Sequence, residues 1–113
     1  MMYTKHTKLE NYSPNDNVKL RFSHYIENGD QTICLYMMYN IVTNEFGSYL
    51  RSPVVVGVVF TTEDQVGVTP YNSDLFYPKS MVNELPGIPE SPVYMTIKEI
   101  REGKNYPIIV LER

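Results

Sequence analysis

Two runs of alternating side chains, flanking Asn28-Gly29 between Val18 and Ile41, constrain this chain more than any other feature. Val18, Leu20, Phe22, His24 and Ile26 share one strand face, and Lys19, Arg21, Ser23 and Tyr25 share the other. An Asn-Gly pair readily supplies the two positive φ angles of a type I′ turn, so the spacing predicts a hairpin. Its register sets Phe22 against Leu35, Leu20 against Met37 and Val18 against Tyr39. On the second strand, Ile33, Leu35, Met37, Tyr39 and Ile41 form the expected core face. Tyr36 and Met38 are bulky enough to imply that the opposite face is partly covered as well. A period of two sustained over both runs tells against an α-helical protein.

The remaining punctuation extends this reading. Ser13-Pro14-Asn15-Asp16 is a turn entering the first strand, and residues 1–16 read as a flexible arm or a cover for a sheet edge. Asn44-Glu45-Phe46-Gly47 predicts a second hairpin with a bulge, closed by a left-handed glycine. Val54–Phe60 is a continuous apolar, β-branched run, as expected for a strand covered on both faces or changing sheets at Gly57. A short strand follows at Val66–Thr69, and further strands begin at Val93 and Tyr106. Between them, residues 70–92 form a long proline-containing loop in which Pro78–Leu85 could hold one short helix stopped by Pro86-Gly87. The expected fold is all-β or mainly β. It is a small antiparallel sandwich or partly closed barrel of about six strands, formed by residues 1–113 as one domain.

Charge narrows the function classes. The formal net charge is −3, and the deficit lies in the second half: residues 1–56 carry five basic and five acidic residues, residues 57–113 five and eight. No basic run tracks a phosphate backbone, which argues against nucleic acid as the main partner, although folding could bring Lys19 and Arg21 beside other residues. No apolar run approaches a membrane span, and the first six residues lack the apolar segment of a secretion signal. Cys34 is the only cysteine, so there is no intrachain disulfide or CxxC pair. An intracellular location follows as the expectation, with release inside an assembled particle also compatible.

The candidate chemistry is sparse. His24 could titrate or bind a metal, but its strand phase places it with Leu20 and Phe22, opposite Ile33. His6 lies in the polar tail. Cys34, set opposite Ser23 with His24 on the other face, lacks a base and reads as a small, partly buried thiol. Glu63, Asp64 and Asp74 could supply carboxylates, yet they are equally explicable as solvated turn charges. There is no glycine-rich phosphate loop, GxSxG turn or HExxH pair. No catalytic residue, metal ligand or cofactor is expected.

The stronger candidate is geometric. Tyr71–Pro78 combines aromatic anchors with polar groups and restricted backbone, so it can bury apolar area while keeping hydrogen bonds at a wet rim. Phe46, Tyr71, Asp74, Tyr77 and Pro78 are the expected protein-contact residues, with Leu75 and Phe76 able to anchor the loop inward. The function expected is a non-enzymatic protein-interaction or assembly module, either an inhibitor or a component of a larger oligomer, binding another protein or copies of itself. The alternative is a ligand-binding or catalytic β barrel with a site made from scattered polar residues.

Overall fold

The computed structural model of the chain describes residues 11–71, 76–84, 92–102 and 106–113. Its strands are β1 (Asn17–Asn28), β2 (Gln31–Asn44), β3 (Gly47–Leu50), β4 (Val54–Thr61), β5 (Gln65–Pro70), β6 (Tyr77–Pro78), β7 (Val93–Arg101) and β8 (Ile108–Glu112). Six of them close into an antiparallel barrel in the order β1-β7-β8-β5-β4-β2, with β2 returning to β1. The remaining strands, β3 and β6, both pair with β2. The short helix is a single 3-10 segment, Lys79–Glu84, where the sequence predicts Pro78–Leu85. Among the described residues no helix is long and apolar enough to cross a membrane.

The alternating pattern produces the interior directly. Val18 and Leu20 from β1, Cys34, Tyr36 and Met38 from β2, and pairs of apolar residues from the other four barrel strands fill it. These side chains are all but completely withdrawn from water, so the barrel encloses a packed core rather than a channel. Tyr12 plugs one end, its hydroxyl donating to the Met38 carbonyl at 2.8 Å. The segment that carries it is tied down by the Ser13–Asp16 turn and by the Asn15 amide, which donates to the Ile97 carbonyl at 2.7 Å. Buried Asn40 holds the same segment from below, its Nδ2 donating to Asp16 Oδ2 at 3.1 Å.

The first hairpin forms, but its register corrects the sequence reading. Asn28 pairs with Gln31, so the turn residues are Gly29 and Asp30 rather than Asn28 and Gly29. Gly29 has φ +64° and no positive φ occurs at Asp30, which matches a type II′ turn with glycine first, not type I′. A bulge at Ser23 then shifts the ladder, leaving Phe22 opposite Tyr36, Leu20 opposite Met38 and Val18 opposite Asn40. The inward face of β2 is therefore Cys34, Tyr36 and Met38, the reverse of the expected face. His24 falls just beyond the bulge, opposite Leu35, and is exposed rather than at the core edge.

Two further bulges, at Val59 and Lys98, follow the same logic. An extra residue on one strand increases local bend and twist, which a small closed barrel needs, and it re-aims every side chain beyond it. Inward Ile97 is thus followed by inward Ile100 instead of Glu99.

Candidate interaction surface

β2 is longer than the barrel. Its pairings end at Asn40 with β1 and at Met38 with β4, while Ile41–Asn44 continue and pair only with β3. The result is a two-stranded arm. Its turn is specified locally: Gly47 has φ +127°, and the Phe46 amide donates to Asn44 Oδ1 at 2.8 Å. This leaves the Phe46 ring 90% exposed at the tip. Tyr49, Leu50 and, on adjoining β4, Val55 are also exposed. In the strand order β3 is terminal, so among the described residues its outer edge has no strand partner.

A groove of about 640 Å³ runs between the base of this arm and the barrel end. Tyr12, Asn40, Tyr49, Arg51 and Val55 contribute to its wall. Burial pushes the Tyr12 hydroxyl up to about 12, while the Arg51 guanidinium pulls it the other way. A phenol held protonated in this manner can hydrogen-bond but is a poor base at neutral pH.

The other expected contact region lies elsewhere on the barrel. Outside the main core, Ile33 and Leu35 are covered by Ile26, Val59, Tyr71, Phe76, Tyr77 and Tyr106. Tyr71 and Tyr77 are half-buried there, together with Phe76, and Pro78 is exposed opposite Gln31. Tyr77 fills a break between β6 and β4 along the edge of β2: its hydroxyl accepts the Cys34 amide proton at 3.2 Å. Asp74 and Leu75 lie outside the described residues.

Cys34 opposes Tyr25, not Ser23, and is fully rather than partly buried. Burial pushes its thiol up, against the opposing effect of hydrogen bonds with Tyr77 and Tyr25. Such a group is a weak nucleophile. Glu63 and Asp64 are exposed in the β4–β5 turn, and among the described residues no three His, Cys, Asp or Glu side chains gather as a metal site. His24 Nδ1 lies 2.8 Å from Ser23 Oγ. Ser23 is the bulged residue and His24 follows it, and both face solvent.

The structure therefore separates the sequence-derived residues into two places, with Phe46 on the arm and Tyr71, Tyr77 and Pro78 beside β6. Sequence reasoning missed Tyr49, Leu50 and Val55 as exposed apolar neighbours of the arm. Their signal was the length of β2, which outruns its barrel partners once the register is known. Comparison of the chain with protein families, with curated proteins and with solved structures finds no match.

Proposed function

We propose that this protein is a non-enzymatic interaction or assembly module that contacts another protein, or copies of itself, through the β2–β3 arm. The observation that carries this reading is the arm itself: an ordered ribbon beyond the barrel, tipped by a 90% exposed Phe46 and flanked by exposed Tyr49 and Leu50. Large aromatic residues held in place by a turn lose little conformational freedom on binding and supply much of an interface's contact area. The terminal edge of β3 adds backbone donors and acceptors that a partner strand can satisfy. The groove beside Tyr49 and Val55 offers the same partner a seat. The half-buried Tyr71 and Tyr77 extend the contact region only if the partner reaches beyond the arm.

The ligand-binding or catalytic alternative has less support. The barrel interior is occupied by side chains, and the buried titratable groups Tyr12 and Cys34 are held in their protonated forms. The test compares the native chain with Phe46→Ser/Tyr49→Ser by mass measurement in solution and by affinity capture from its source cells. The native chain should assemble or retain a partner, and the double variant should release it while unfolding at an unchanged temperature. A native chain that stays monomeric and captures nothing, or a double variant that keeps the same partner, would reject the reading.

A further inference from the structure

The closed barrel brings together a second surface that the order of residues conceals. Lys19 on β1 is directly opposite Tyr39 on β2 and directly opposite Tyr94 on β7. Opposite residues on antiparallel strands point to the same side, and the neighbours of all three are packed in the core, so this row faces outward. Tyr94 is 63% exposed. Arg21, one step along β1, is exposed and donates from Nη2 to the Tyr39 hydroxyl at 3.2 Å. The outward row thus reads tyrosine, lysine, tyrosine, with a guanidinium fixed beside the second ring.

Charge on this face is opposite to that of the whole chain. No Asp or Glu occurs in Asn17–Ile26, in Gln31–Asn44 or in Val93–Ile97, although the formal net charge is −3. The nearest carboxylate before β1, that of Asp16, is engaged by the Ser13 amide and Asn40 Nδ2. Two cations therefore stand where these stretches of the three strands carry no carboxylate; the nearest on the outer side of β7 and β8 are Glu99, paired with Arg101, and Glu112, opposite Thr96 and held by Lys98 and Gln65. With adjacent strands about 4.8 Å apart, the backbones that carry the two tyrosines on either side of Lys19 are about 10 Å apart.

We propose that the outer face of β7, β1 and β2 binds single-stranded nucleic acid without sequence preference. Tyr94 and Tyr39 stack on bases, and Lys19 and Arg21 neutralise the phosphates between them. Unpaired bases fit this arrangement because every base offers a π-face, whereas a duplex hides those faces and presents mainly phosphate. The low number of cations makes the affinity modest and its salt dependence shallow, with a slope of log K against log salt of about −1.4 for two neutralised phosphates on a single strand. This site is separate from the arm and does not depend on the interaction reading above.

The test is fluorescence anisotropy of the full chain with a labelled oligo(dT) of about 12 nucleotides, alone and annealed to oligo(dA), over a low-salt series. The single strand should bind better than the duplex. Tyr94→Ala should weaken it roughly five- to a hundredfold with an unchanged unfolding temperature, and Lys19→Gln/Arg21→Gln should flatten the salt slope. Phe46→Ser should leave this binding unaltered, so failure here is distinguishable from failure of the arm as a protein contact. Absence of oligo(dT) binding, equal binding of the duplex, or native affinity in a folded Tyr94→Ala protein would each overturn the proposal.

Discussion

The middle and the end of β2 are one continuous strand with two different physical settings. Leu35–Met38 are paired on one edge by β1 and on the other by β4, with Tyr36 and Met38 pointing into the packed interior. Ile41–Asn44 have only β3, and the arm they form ends on an exposed ring. The first setting supplies stability through buried area and paired backbone. The second contributes little to stability and remains accessible, which suits a contact surface. Function in this reading sits where the strand outlasts its partners.

The largest test of this contrast is Met38→Ala. Met38 is fully buried, so its truncation should cost about 2–5 kcal/mol in chemical denaturation. A loss below 1 kcal/mol would break the distinction between the middle and the end of β2. Phe22 is only half-buried, so Phe22→Ala should fall below the roughly 3–5 kcal/mol of a fully buried phenylalanine.

Close packing also extends to the outer side of the barrel at Gly67. A Cβ there would overlap the Phe60 ring, meeting its Cε2, Cδ2 and Cζ atoms. Gly67→Ala should therefore destabilise the protein by about 1–3 kcal/mol, and adding Phe60→Leu should restore part of the loss. If both proteins are as stable as the native one, the Phe60 ring moves aside freely and the outer packing is looser than the interior.

The Tyr12 plug gives a pH signature at the barrel end beside the arm. Its folded-state value of about 12 lies above the ordinary phenol value of 10.0, chiefly because of burial. The protonated form is favoured in the folded state, so this contribution is intact below pH 10 and is lost as the pH rises towards 12. It amounts to on the order of 2 kcal/mol over that window. Tyr12→Phe should make the stability profile shallower between those values, at the expense of about 1 kcal/mol at neutral pH from the lost bond to the Met38 carbonyl. Tyr77, also raised mainly by burial, leaves a residual slope.

At the small end of the scale, Phe46→Ser should change stability by no more than about 0.5 kcal/mol, because the ring buries almost nothing within the chain. A larger loss in thermal or chemical unfolding would mean that the arm supports the barrel and is not simply carried by it.

Alternation was enough to locate β1 and β2, and Asn44–Gly47 marked the second hairpin, but the expected bulge is absent because Asn44 pairs directly with Gly47 across a two-residue turn. The inner face of β2 was not legible, because both of its faces carry bulky apolar residues and only the partners decide between them. Ser23 shows why the register also escaped. A serine in an alternating run gives no local sign that closing a barrel will insert a bulge there, yet that bulge moves His24 from the expected core edge into solvent. The one-residue displacement of the turn has a simpler cause: Asn-Gly and Gly-Asp compete for the same hairpin, and Gly29 satisfies the glycine requirement of either. Of the contact residues, Phe46 was visible from its turn. Lys19 and Tyr94 could not be joined in advance, since only the β1–β7 pairing makes them neighbours.

Native-state amide hydrogen exchange along β2 and β3 tests the central contrast most directly. The amides engaged between β2 and its two barrel neighbours, over Leu35–Met38, should open with free energies close to that of global unfolding. Those of the β2–β3 ribbon, over Val42–Leu50, should exchange orders of magnitude faster through local opening. Uniform protection from Leu35 through Leu50 would contradict the account, because the arm would then be part of the barrel's cooperative unit.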